Sequence, residues 1–208
     1  MICFVLIAED DSIMAHQKRK LIVALRQTAL RLESADTKYK WSHFAQCNCG
    51  HLVQTLTGLE AKGIQERAMT REGDWGEQAA ARARRQKKVV PMIAPDYGDR
   101  IALDEGAWEP ENIGACSATG ETLDYIFNEL EKVGLTADDI RNLERLSDPQ
   151  VRRRLGTNTI DYPHYKRENV IAYLRAWADE LESKLFVSTV KQGEPWPQAE
   201  GRESIAAE

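Results

Sequence analysis

The 208-residue sequence has no apolar run long enough to cross a bilayer, which takes roughly 20 residues. Its longest run, MICFVLIA at residues 1–8, has no basic residue before it and is followed at once by Glu9, Asp10 and Asp11. A secretory signal instead has basic residues before its apolar run. The sequence therefore predicts no membrane partner, no secretion and a cytoplasmic location.

Residues 1–8 leave two interpretations open. They have the composition of a short buried strand. Alternatively, Met14 is the true start, because the sequence after it, AHQKRKLIVAL, is an ordinary helix opening.

Cysteine is scarce, and its spacing excludes the strongest metal and disulfide motifs. Four cysteines in a chain of this length do not make a disulfide scaffold, and no paired Cys-x-x-Cys motifs occur. Phosphate-binding loops, the dinucleotide-binding glycine fingerprint, Gly-x-Ser-x-Gly and His-Glu-x-x-His are also absent. The sequence thus points to no common enzyme class, and its thiols are expected to be free or bound to metal.

Basic charge is not in excess. The chain has 28 Lys and Arg against 33 Asp and Glu, giving a formal net charge of −5, which predicts no nucleic-acid partner. The one basic cluster, at residues 82–88, falls at the end of a predicted helix and is expected to be a solvated helix end.

Helical periodicity dominates the rest of the chain. Leu21, Leu25, Thr28 and Leu32 recur at helical spacing in a first helix that ends near Glu33. This first helix is expected to begin at about Ser12 or Ala15. Further helices are predicted at 41–57, 60–70, 74–88, 119–133, 136–146 and 167–185, with one more turn at 147–155. The fold class is therefore all-α, an irregular bundle of six or seven helices.

Two segments lack this periodicity. Residues 89–118 contain three prolines and three glycines, and they predict one long loop that has room for a short hairpin. Residues 187–208 are polar and predict a disordered, flexible tail. The expected organisation is one helical domain at 1–186 followed by the tail at 187–208.

The stretch WSHFAQCNCGHLVQTLTG, residues 41–58, concentrates the reactive side chains. On one helix, His43, Cys47 and His51 lie four residues apart and off the apolar face. Imidazole and thiolate suit zinc or iron. The outer pair is about 12 Å apart along such a helix, so two neighbours completed by Cys116 make the expected metal site. Cys49, between the margins of the apolar face, is expected in the core.

Two functions follow from these patterns. The first is metal binding through His43, Cys47, His51 and Cys116, with zinc or iron as the cofactor. The second is a non-catalytic helical interaction module that meets a protein partner through exposed aromatic residues such as Trp75, Tyr97 and Trp108. Neither reading specifies a substrate or a reaction.

Overall fold

The computed structural model describes residues 3–89, 122–157 and 163–192, and it confirms the all-α class. Within these ranges there is no strand, and the alternative of a strand is wrong from Cys3 onwards because helix α1 begins there. The described residues form eight helices rather than six or seven. They are α1 (Cys3–Glu33), α2 (Asn48–Thr57), α3 (Ala61–Ala68), α4 (Trp75–Val89), α5 (Leu123–Lys132), α6 (Ala137–Arg145), α7 (Pro149–Arg154) and α8 (Arg167–Gln192).

Helices α1 and α8 form the most extensive helix pair and run antiparallel. Arg26 of α1 pairs with Glu182 at 2.7 Å, and Glu33 pairs with Arg175 at 2.5 Å. The two ion pairs are seven residues apart on each helix, which fixes the register of the pair. Exposed ion pairs of this kind contribute at most about 1 kcal/mol each. The predicted apolar stripe of α1 is buried and supplies most of the stabilisation.

Aromatic side chains pack where α4 and α5 meet the turns before α2. The Trp75 ring lies edge-on to Phe44 at 5.8 Å and to Phe127 at 5.9 Å. Its Nε1 donates a hydrogen bond to the Phe44 carbonyl at 3.0 Å. Trp75 is only 1% exposed, so its prediction as a partner-binding aromatic is wrong. Tyr97 and Trp108 lie outside the described residues.

The helix starts predicted at 74 and 136 are confirmed by their caps, and the start predicted at 147 is shifted by one residue. Thr136 and Asp139 form a reciprocal capping box at α6, and Asp74 and Glu77 bond each other's backbone NH groups at α4. At α7 the cap is Asp148 rather than Ser147, since its carboxylate accepts from the NH groups of residues 150 and 151. A carboxylate there also suits the positive end of the helix dipole.

The basic cluster at residues 82–88 is only partly solvated. Arg82 pairs with Asp124 at 2.6 Å and with Glu131 at 2.9 Å, and it thereby ties α4 to α5. Arg84 and Arg85 are exposed, as expected of a helix end.

Helix α8 continues to Gln192, so the first six residues of the predicted tail are helical. Residues 193–208, most of the predicted loop at 89–118 and its possible hairpin lie outside the described residues. Of the helices that are described, none has an apolar stretch sufficient to span a membrane.

Candidate functional site

The helix predicted at 41–57 begins seven residues later than expected. Residues 41–47 form turns, and Cys47 is the extended N-cap of α2, with φ −85° and ψ −176°. The helical strip of His43, Cys47 and His51 is therefore wrong, because His43 precedes the helix.

Gly50 explains the late start. A Cβ on this glycine would lie 1.9 Å from the Phe44 carbonyl oxygen, so residues 44 and 45 fold back against the first turn of α2. Only glycine permits so close an approach between two backbone segments.

Both cysteines near this turn are buried thiols with structural hydrogen bonds. The Cys47 Sγ accepts from the Gly50 NH at 3.4 Å and donates to the Phe44 carbonyl at 3.2 Å. Cys49, 3% exposed, donates to the Ile140 carbonyl at 3.5 Å, which confirms its predicted place in the core. Burial raises the pKa of Cys47 to about 12 and that of Cys49 well above its ordinary value, so both thiols keep their protons at neutral pH.

The two histidines have separate surroundings. His43 Nδ1 accepts from the Ala45 NH at 3.2 Å, within its own turn. His51 is 2% exposed, and its Nδ1 lies 3.1 Å from Nη2 of Arg31. Because guanidinium is only a donor, Nδ1 is the acceptor and the ring proton sits on Nε2. Burial and then the Arg31 charge lower the pKa of His51 to about 4.

In the described ranges, no three His, Cys, Asp or Glu side chains are grouped so as to hold a metal ion. Cys116, the proposed completing ligand, lies outside those ranges. The zinc or iron site of His43, Cys47, His51 and Cys116 therefore stays a prediction.

Asn48 has a structural role that the sequence pattern does not predict. Its side chain is fully buried, and its Nδ2 donates to the carbonyls of Leu143, Glu144 and His164 at 2.9–3.2 Å. Its Oδ1 accepts from the Tyr39 hydroxyl at 2.7 Å. Asn48 thus joins α2 to the last turn of α6 and to the turn before α8. A polar residue beside two cysteines gave no periodic signal of this role.

A second polar feature lies where α4 crosses α6. The buried carboxylate of Glu144 accepts from the Gly76 NH at 3.0 Å, at the first turn of α4. Burial raises the pKa of Glu144 to about 7. The hydrogen bond from Gly76 opposes this rise, and the neighbouring Asp74 charge adds to it. A cavity of about 300 Å³ opens beside it, lined by Arg141 and Arg145 among others. The Glu144 side chain thus supplies an acceptor for a backbone NH in the first turn of α4, in addition to the Asp74 cap.

A groove of about 460 Å³ lies between α1, α2 and α5 and is here called the α1 groove. Its lining includes four apolar residues, of which Val23 is 53% exposed. They are Val23, Ala24, Leu56 and Val133. From His16 to Gln27 the α1 wall is about 16 Å long by the helical rise. The groove therefore offers an elongated, partly apolar floor.

The charged residues of the α1 groove are mostly cationic. Arg19 and Lys20 project from α1, and Lys132 projects from α5, where it pairs at 2.5 Å with Glu129, which also lines the groove. Within the described part of the chain, no carboxylate lies within ion-pair distance of Arg19 or Lys20. The groove is thus a locally basic surface on a chain whose net charge is −5.

Comparison with protein-family models, with curated proteins and with solved structures finds no match to this chain.

Proposed function

We propose that this protein is a non-catalytic helical interaction module that binds an acidic, amphipathic helix of a protein partner in the α1 groove. The observation that carries the proposal is the combination of apolar Val23 and Leu56 with the cations Arg19 and Lys20 in one elongated groove. An amphipathic helix presents apolar residues every three or four positions and can fill such a floor.

Charge selects the partner. Arg19 and Lys20 flank the apolar floor, so acidic residues beside the apolar stripe of the partner would find opposite charges. A nucleic acid is a poor alternative, because the chain as a whole is acidic and would repel phosphates.

A cytoplasmic location belongs to the same proposal. The free buried thiols Cys47 and Cys49 support it, since unpaired cysteines are typical of reducing compartments. Metal binding remains a separate prediction that no described contact favours.

A matched pair of synthetic peptides tests the proposal. Both are about five helical turns long with leucine at helical spacing, and one carries glutamate where the other carries lysine. Calorimetric titration of the full chain should show that the acidic peptide binds and that the lysine peptide does not. Lys20→Glu should weaken it, whereas Lys62→Glu, on α3 with an 85% exposed side chain, should leave it unchanged.

The contrary results are equally specific. Equal affinity for both peptides, or no loss with Lys20→Glu, would show that the α1 groove does not select acidic helices. If the chain bound neither peptide but did bind anionic lipid vesicles, and Lys20→Glu weakened that binding, the α1 groove would be a membrane-binding surface instead.

A further inference from the structure

The cavity of about 300 Å³ beside Glu144 carries charges of both signs. It lies between α4 and α6 and is here called the α4–α6 cleft. Its volume is at the lower end of the range for ligand sites, so any ligand must be small. Three carboxylates and three guanidinium groups line it, and they belong to Asp74, Glu77, Glu144, Arg84, Arg141 and Arg145.

Four of these six charged side chains already have partners that suit them. Arg145 pairs with Asp74 at 3.0 Å, and Arg141 pairs with Asp138 at 3.1 Å. Glu77 is exposed to solvent, and its carboxylate accepts the backbone NH of Asp74 at 2.9 Å. These contacts leave the charge of only two lining residues without a counterpart.

The remaining two residues, Glu144 and Arg84, have opposite charges. Glu144 is 7% exposed and accepts the Gly76 NH, but no cationic side chain in the described ranges lies within ion-pair distance of it. Buried carboxylates in proteins are normally paired with a cation. Arg84 is exposed, and it makes no ion pair with any carboxylate that the structure describes. A ligand that carries one charge of each sign would match both residues.

The spacing along α4 limits the length of such a ligand. Gly76, which contacts Glu144, lies eight residues before Arg84, or about 12 Å along the helix axis. The long, exposed side chain of Arg84 can bend back along the cleft and shorten that distance. An extended dipeptide holds its terminal ammonium and carboxylate about 7 Å apart. A dipeptide also has the small size that the cleft requires.

We infer that the α4–α6 cleft binds a small zwitterion of dipeptide length, whose ammonium group meets Glu144 and whose carboxylate meets Arg84. Glu144 can keep its hydrogen bond from Gly76, because a carboxylate accepts through both oxygens. The guanidinium of Arg84 offers two parallel donors to the ligand carboxylate. Recognition therefore falls on the free ends of a peptide rather than on its side chains. The cleft is separate from the α1 groove, so this inference does not depend on the proposed function.

Three forms of alanylalanine test the inference by calorimetric titration of the full chain. The free dipeptide has both charges, the N-acetylated form lacks the ammonium, and the C-amidated form lacks the carboxylate. At about pH 7.5, between the pKa of Glu144 at about 7 and that of a terminal amine, both groups are mostly ionised. The free dipeptide should bind about tenfold more tightly than either capped form, because each cap removes one hydrogen bond between charged groups.

Single substitutions assign each end of the ligand to its residue. Glu144→Gln should bind the free and the acetylated dipeptide equally, whereas Arg84→Gln should bind the free and the amidated dipeptide equally. Arg85→Gln is the matched control, because Arg85 is exposed on the next position of α4 and does not line the cleft. It should keep the preferences of the unchanged chain. Circular dichroism verifies that each variant is folded.

Other results would overturn the inference. They are equal affinities of the unchanged chain for all three forms, no binding of the free dipeptide at millimolar concentration, and equal losses in Arg84→Gln and Arg85→Gln. A folded Glu144→Gln or Arg84→Gln variant that keeps the original preferences would also overturn it. Should Glu144→Gln fail to fold, the capped dipeptides and the two arginine variants still decide the outcome.

Discussion

The carboxylate of Glu144, near the end of α6, accepts the backbone NH of Gly76 at the first turn of α4, with 3.0 Å between the two heavy atoms. A Cβ at residue 76 would lie 3.1 Å from the same oxygen and 3.3 Å from Cα of Arg141. The two helices therefore cross closely at a glycine, where the Glu144 carboxylate accepts the backbone NH of the crossing helix. This geometry makes the stability of the α4–α6 contact sensitive to pH.

Glu144→Gln should make the protein relatively more stable as pH rises. The folded pKa of Glu144, about 7, exceeds its ordinary value of 4.5, so the folded state holds the proton more tightly. Between these values the wild-type free energy of unfolding falls with pH by up to about 1.4 kcal/mol per unit from this group. Glutamine keeps an acceptor for Gly76 and has no proton to lose. Urea unfolding should show that the free energy of unfolding of the variant, relative to that of wild type, is higher at about pH 8 than at about pH 5. The same difference at both pH values would contradict the assignment.

His51→Asn should have the opposite pH dependence. The folded pKa of His51 is about 4, below its ordinary 6.5, so the unfolded chain binds the proton more tightly between these values. Wild-type stability from this group is complete above about 6.5 and is lost as pH falls towards 4. Asparagine retains an acceptor for Arg31 but does not titrate. The variant should lose less stability than wild type between about pH 7 and about pH 5, measured by the same unfolding assay.

Gly50→Ala should destabilise the fold severely, by more than about 3 kcal/mol, because its Cβ would overlap backbone atoms that cannot move aside. Gly63→Ala is the matched control on α3. Its Cβ would meet only the end of the Arg67 side chain, at 2.7 Å, so the change should stay within about 1 kcal/mol. Thermal and urea unfolding of the two variants measure the contrast, and similar effects would refute the proposed fold-back at Phe44.

Cys47→Ser separates the capping role from metal binding. A serine hydroxyl can accept from the Gly50 NH and donate to the Phe44 carbonyl, so stability should be retained, whereas Cys47→Ala should cost about 1 kcal/mol. Elemental analysis of the purified, untagged proteins accompanies the unfolding measurements. Near-stoichiometric zinc or iron in wild type that Cys47→Ser removes would instead support the predicted metal site.

Thr136→Ala should cost roughly 1 kcal/mol, because it removes the side-chain acceptor of the α6 capping box. Thr136→Ser keeps that hydroxyl and serves as the control. Hydrogen exchange should show faster amides in the first turn of α6 for the alanine variant alone. Equal protection in both variants would count against the capping box.

Local signals were sufficient to predict most of the helices. The stripe at Leu21, Leu25 and Leu32 is buried, and the caps at Asp74 and Thr136 stand where the side-chain pattern predicts them. Such features depend on residues three or four positions apart, which a sequence displays directly.

The candidate site depended on longer-range contacts and was predicted less well. The start of α2 is set by the approach of Gly50 to Phe44, which periodicity does not reveal. The hydrogen bonds of Asn48 join residues more than 90 positions apart. The α1 groove is likewise formed by three helices that are distant in sequence, so no single segment indicates its charge or its floor.

The α1–α8 pair has a kinetic consequence. Arg26 and Glu182 are 156 residues apart in sequence, so the most extensive helix pair among the described residues closes a very long loop. Forming so distant a contact carries a large loop-closure entropy before any packing compensates for it. During synthesis, the residues of α1 that face α8 stay uncovered until α8 is translated.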